Sequence, residues 1–182
     1  VNQAPGACCA SLVSDGETGG DFFMMNYLIG PGQGVTNTVR PHFSVGNSPV
    51  STDSNTALNV GEVYHVVTTW DATQPANNAS IYINGRLDKT ITVTQNVPAP
   101  GTTGANAVFI GRDNRENRPS NLLIDEVALY NRALTPAQIQ AHYEAGVEVT
   151  PIPPPTYAEA VMQDAPVAYW PFDETSGATV AD

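Results

Sequence analysis

The sequence predicts an all-β fold, an antiparallel β-sandwich with one short helix late in the chain. Three observations carry that prediction. Short runs alternate apolar and polar side chains between Gly-, Pro- and Asn-rich breaks, as in residues 22–29, 61–71 and 79–93. Asn84-Gly85, between two such runs, is the two-residue signal of a type I′ hairpin. Residues 121–146 read as a strand, a turn and a fully punctuated helix in unbroken succession.

Taken in order, residues 7–15, 22–29 and 39–45 form the first three strands, separated by Asp15-Gly16, Gly19-Gly20 and Gly30-Pro31-Gly32. The neighbours Cys8 and Cys9 fall on opposite faces of the first strand, so a bond between them needs strained geometry. They read as two small hydrophobes, with a link to another chain as the alternative. In the next strand, residues 61–71, Tyr64, Val66, Thr68 and Trp70 share one face, and Val63, His65, Val67 and Thr69 the other. Residues 79–83 and 86–93 flank the hairpin turn, and residues 108–111 form a further strand before a polar loop at residues 112–119.

In residues 121–130, Leu123, Asp125, Val127 and Leu129 share one face and Ile124, Glu126, Ala128 and Tyr130 the other, so both faces are largely apolar and the strand is placed inside the sandwich. Thr135 then caps a helix, Pro136 takes its first position, and Gln138 completes a capping box. Leu134 and Ile139 are spaced as a hydrophobic staple, and Gly146 is placed to end the helix in the left-handed conformation. Thr150-Pro151-Ile152-Pro153-Pro154-Pro155 is an extended spacer. A second capping box, Thr156 with Glu159, opens a short helix to about Gln163.

Four stretches together carry a family resemblance: Tyr64-His65-Val66-Val67-Thr68-Thr69-Trp70-Asp71, Ile81-Tyr82-Ile83-Asn84-Gly85-Arg86-Leu87, Phe109-Ile110-Gly111-Arg112, and Ile124-Asp125-Glu126-Val127-Ala128-Leu129-Tyr130 with its helix. In this order they resemble the laminin-G-like branch of the concanavalin A-like lectin/glucanase superfamily over residues 11–146. The resemblance implies a β-sandwich jelly roll, usually extracellular, and leaves the ligand open. Tyr169-Trp170-Pro171-Phe172-Asp173-Glu174-Thr175-Ser176-Gly177 resembles the opening strand of the same family, yet it stands at the end of the chain. The expected organisation is a jelly roll at 1–149 lacking its family's opening strands, a linker with a short helix at 150–165, and the start of a next repeat at 166–182. A sandwich without those strands leaves unpaired edges. An upstream part of the polypeptide is expected to fill that edge, or Val167, Tyr169, Trp170 and Phe172 of a neighbouring copy by strand addition.

Composition narrows the function. Hydrophobic residues make up 41% of the 182, enough for a core, while charged residues are only 14% against about 25% in soluble proteins generally. The net charge of −11 arises from scattered acids without a basic stripe, which excludes nucleic acid as the expected partner. Scattered acids fit calcium or plain solubility, and solubility is the simpler reading. No stretch approaches a membrane span. Asn78-Ala79-Ser80 matches the N-glycosylation pattern.

No Glu-x-Asp-x-Glu pattern of glycan-cleaving enzymes occurs, nor Gly-x-Ser-x-Gly, and His42, His65 and His142 lie on no zinc spacing, so the chain reads as non-enzymatic. His65 is expected as a hydrogen-bonded histidine of the sandwich. Asp125, on an apolar face, needs compensation. In related folds a carboxylate at this strand helps hold a structural calcium with groups near the opening strand, here Asp173 or Glu174. Bonds from loop N–H groups are the alternative. For glycans, the stacking candidates are Tyr27, Tyr64, Trp70 and Tyr82, with Arg112 and Arg115 as readers of an acidic or hydroxyl-rich ligand; core packing is the competing role of each ring. The leading expectation is a structural and adhesive repeat of a large secreted or cell-surface protein, partnered by other copies of itself and assembling into filaments. A carbohydrate-binding module, alone or attached to a secreted hydrolase, is the alternative.

Overall fold

The computed structural model describes residues 9–14, 22–29, 37–45, 48–94, 108–111, 122–147 and 156–170. Ten strands and two helices follow in chain order among these residues. They are β1 (Cys9–Ser14), β2 (Phe22–Ile29), β3 (Thr38–Val45), β4 (Ser48–Ser51), β5 (Val66–Trp70), β6 (Ala79–Ile83), β7 (Arg86–Ile91), β8 (Phe109–Ile110), β9 (Val127–Leu129), α1 (Pro136–Gly146), α2 (Tyr157–Gln163) and β10 (Ala168–Trp170). All pairings are antiparallel, within a sheet ordered β4-β3-β2-β1-β8, a sheet ordered β5-β6-β7, and the pair β10-β9. The fold is all-β with two helices, as the alternation predicts.

One apolar cluster joins the two larger sheets. Ala10, Val39 and Phe43 of the first meet Ala79, Ile81, Ile83 and Ile91 of the second, with Leu58 and Val93 between. Period-two alternation turns Tyr82 to the opposite face of β6, where it packs with Leu134 and Ile139 under α1. The three-stranded sheet is thus covered on both faces, by strands on one side and a helix on the other. The segment after β4 straps the sheets together. Ser54 N–H donates to Val39 O and Ser54 Oγ accepts the Val39 N–H. Asp53 pairs with Arg40 through two bonds of 2.9 and 2.6 Å, and Asp88 on β7 accepts the N–H groups of Asn55 and Thr56.

The Asn84-Gly85 hairpin forms as predicted, with both residues at positive φ, 50° and 75°, and Ile83 facing Arg86. Gly85 is required twice. A methyl group there would stand 2.7 Å from Gln140 Oε1 and 3.0 Å from Tyr143 Cβ of α1, so the turn tip abuts the helix. Gly85→Ala is expected to cost about 2 kcal/mol or more, from left-handed strain plus this overlap, measured by urea denaturation.

Several elements differ from expectation. β5 starts at Val66, not near residue 61, because its partner β6 ends at Ile83, opposite Val66. Beyond that point the His65 N–H donates instead to Asn84 Oδ1, and Val63 is 95% exposed. β9 covers only Val127–Leu129: Glu126 has a φ of 54°, which breaks the extended run, and Leu123 lies fully in solvent. β4 has no apolar alternation to announce it, and Pro49 fits because this is an edge strand. Gly146 remains helical instead of taking the left-handed cap; the cap is Val147, at φ −105°. Both capping boxes and the contact of Leu134 with Ile139 are present. Cys9 opens β1, and Cys8 lies outside the described residues.

Candidate functional site at the carboxy-terminal seam

The chain after α1 returns to the body of the fold. α2 packs against α1, and β10 pairs with β9 in the register Ala168–Leu129, Tyr169–Ala128 and Trp170–Val127. The Val167 N–H donates to Leu129 O at 2.7 Å. Ala160 and Val161 of α2 are buried, and the Tyr130 hydroxyl donates to Val161 O. Gly146 serves this seam: a methyl group on it would approach the Tyr157 ring to 3.0 Å.

Asp164, immediately after α2, is the polar hub. Its Oδ2 lies 2.8 Å from Nε2 of His142, and its Oδ1 accepts bonds from Gln138 Nε2 and, at 3.2 Å, from Arg132 Nη2. Arg132 Nη2 also donates to the Asp164 carbonyl. The Gln138 side chain therefore works twice, accepting the Thr135 N–H in the capping box while donating to Asp164. His142 is only 3% exposed, so Asp164 supplies a buried imidazole with its partner.

An aromatic layer surrounds this hub. The Tyr130 ring stacks on His142 at 6.1 Å, and Tyr157 lies 6.4 Å from His142 and 6.1 Å from His65. Tyr143 meets His65 from the α1 side at 6.2 Å. Burial, and then the nearby charge of His142, push the His65 imidazole down to about 4, and its Nδ1 is buried without a hydrogen-bond partner among the described residues. The hydrogen bond expected of this histidine is thus not made at Nδ1, and the half-buried ring lies between Tyr143 of α1 and Tyr157 of α2, where its charged form is disfavoured. Burial, with Asp164 adding to it, pushes the Tyr130 phenol up to about 12. Burial also raises Tyr157, helped by Tyr130 and the carboxylates of Glu126 and Asp125.

Among the described residues, those predicted for ligands form no common exposed face. Tyr82 is 6% exposed and packs under α1, so its ring offers no stacking face. Trp70 packs on the core 6.2 Å from Phe43. Tyr64 packs on the same core, its hydroxyl donating to Glu62 Oε2 and accepting the Asn59 N–H. Alternation puts Tyr64, just before β5, and Trp70, at its end, on one face, and that face is the inward one. Arg112 and Arg115 lie outside the described residues, as do Asp173, Glu174 and Phe172, and so do the side chains of β2, Tyr27 among them.

Asp125 is exposed, because β9 begins only at Val127, and its Oδ1 accepts the Glu126 N–H. The buried charge that asked for a compensating calcium is therefore absent at this residue. Among the described residues no three His, Cys, Asp or Glu side chains group as metal ligands. Asn78 of the glycosylation pattern is 7% exposed. Its amide donates to Val93 O and Gln74 O and accepts the Val93 N–H, so a glycan on Nδ2 would displace one of these bonds. Asn78→Ala is expected to lower stability by about 2 kcal/mol in thermal or urea unfolding, since it strands the Val93 groups.

The architecture, the paired closing strand and its capped helix agree with a comparison of the sequence with known families. Residues 3–140 match the model of a laminin-G-type domain of the concanavalin A-like lectin/glucanases superfamily. The chain belongs to this superfamily. A solved structure similar to it is that of residues 221–444 of an S-layer domain-containing protein from Clostridium thermocellum, at 16% identity over 79% of this chain and 67% of that one, with a TM-score of 0.39. No curated protein matches. Members of this superfamily share a scaffold and differ in what they hold, so the function has to be argued from the seam. No helix among the described residues is long and apolar enough to cross a membrane.

Sequence reasoning found most parts of the seam separately, both capping boxes and the Tyr169-Trp170 strand among them. It missed Asp164 and His142 as partners. The two lie far apart in sequence, on either side of the proline-rich stretch, and no local pattern connects them.

Proposed function

We propose that this chain is a non-catalytic structural and adhesive repeat of a large secreted or cell-surface protein, and that its carboxy-terminal segment is the joint between repeats. The observation that carries the reading is the β10-β9 ladder. A stretch that resembles the family's opening strand lies against the closing strand Val127–Leu129. In a row of repeats, the first strand of one unit would complete the unit before it, and strand sharing between copies would extend the row into filaments. The low charged fraction and net charge of −11 suit a surface facing the outside of a cell.

The test compares the full chain with one lacking residues 166–182, alongside a glycan screen run with and without calcium. Loss of the segment is expected to lower stability by roughly 2–3 kcal/mol, because it uncovers β9 and takes away the β10 strand. The full chain is expected to bind no glycan, its stacking candidates Tyr64, Trp70 and Tyr82 being packed on apolar clusters. Equal stability of the two chains together with specific sugar binding would replace this reading by that of a lectin module. A calcium held by Asp125 with Asp173 or Glu174 would announce itself as a calcium-dependent rise in Tm that Asp125→Asn abolishes. The exposed Asp125 carboxylate supplies no reason to expect that rise.

A further inference from the structure

The connector between α1 and α2 spans residues 148–155 and contains Pro151, Pro153, Pro154 and Pro155. In the extended conformation such a sequence prefers, at ~3.1 Å per residue, it would reach about 25 Å. The elements it joins stand far closer than that. The position of a methyl group on Gly146 is 3.0 Å from the Tyr157 ring, so the chain leaves α1 and re-enters α2 almost where it left. Consecutive prolines resist such a return, because each holds φ near −65° and bars the residue before it from helical backbone. The contacts of the seam therefore work against the intrinsic preference of the connector.

The seam itself is indifferent to which copy supplies its outer half. One side consists of Arg132, Gln138 and His142 with β9, and the other of Asp164 with α2 and β10. α2 and β10 lie on either side of Asp164 in the chain, and all three dock on the α1 and β9 side, α2 on α1, Asp164 on His142 and β10 on β9, so residues 156–170 act as one arm. We infer that this arm is exchanged as a unit, the α2–β10 arm of one copy docking on α1 and β9 of a second copy while the proline-rich connector extends between them. Every native contact of the seam is kept, and Gly146 and Tyr157 of one chain no longer have to lie side by side. Each copy gives one arm and receives one, which closes a dimer when the exchange is reciprocal and propagates when it is not. The inference rests on the reading of this segment as a joint; it adds that the joint is made in trans and that a helix travels with the strand.

The experiment places cysteines at facing ladder positions, Leu129→Cys with Ala168→Cys, in a full chain whose Cys8 and Cys9 are replaced by Ser. After mild oxidation the chain is run on a non-reducing gel, and its native mass is measured over a range of concentrations without oxidation. Exchange predicts covalent dimers or larger species and a native mass that rises with concentration. Pro153→Gly, Pro154→Gly and Pro155→Gly made together should lower the multimer association constant roughly tenfold, since a flexible connector can turn back freely. A disulfide formed only within single chains overturns the inference. So does a native mass that stays monomeric throughout, even if no disulfide forms. Either result leaves the joint itself standing if the chain lacking residues 166–182 is destabilised, so the two failures can be told apart.

Discussion

Asp164→Ala is expected to destabilise the chain by about 3 kcal/mol and to free residues 156–170 before the rest unfolds. One side chain holds three partners across the seam, and His142, only 3% exposed, would keep a buried Nε2 with nothing to bond. Stranding a buried group costs more than the bond itself was worth, which is why the loss should exceed that of an ordinary surface ion pair. Arg132 is the partly exposed member, so the greater part of the effect should come from His142 and Gln138. Urea denaturation gives the magnitude and amide hydrogen exchange gives the location. Exchange should quicken in α2 and β10 while the β5-β6-β7 sheet keeps its protection. Asp164→Asn, which retains acceptors for Gln138 and Arg132, should recover part of the loss. Unchanged exchange in β10 would show that Asp164 does not hold the arm.

Stability is expected to fall by about 3 kcal/mol at most as the pH drops from 7 to 4, with His65 the main cause. The imidazole is held near 4 in the folded chain, against about 6.5 when unfolded. Between these values the unfolded chain takes up a proton that the folded chain refuses, so its contribution is complete above pH 6.5 and is lost as the pH falls towards 4. The groups around the ring decide this direction. Tyr143 and Tyr157 enclose it, His142 repels a second positive charge, and none of them is a carboxylate. His142 faces Asp164 and Arg132 lies beyond, so the charge on that side is already matched. Asp53, held below the usual carboxylate range by Arg40, adds acid sensitivity only further down. Urea denaturation across this pH range should show the slope, and His65→Phe should flatten it. A wild-type profile that is flat between pH 6.5 and 4 would mean that the ring takes up its proton without disturbing the seam.

What could be read in the sequence was what depends on neighbours along the chain. The Asn84-Gly85 turn, the capping boxes of Thr135 and Thr156, and the two faces of residues 64–70 were all legible, because each follows from local backbone geometry. Strand ends were not. β5 starts only at Val66, opposite the point where its partner β6 turns, and β9 only after Glu126 has taken a positive φ, and neither event leaves a mark in the alternation. The burial of individual side chains also escaped. Asp125 falls on an apolar face by its spacing and is exposed because β9 begins only at Val127, while Tyr82, for which the spacing leaves stacking and core packing both open, is covered by α1.

By itself the sequence determined the family, the antiparallel architecture and the position of a strand out of its expected order. Only the tertiary structure decided where that strand goes and what secures it. The register of Trp170 on Val127 and the meeting of Asp164 with His142 are contacts between residues distant in sequence, and their energy appears only once those residues have met, after the entropy of bringing them together has been overcome.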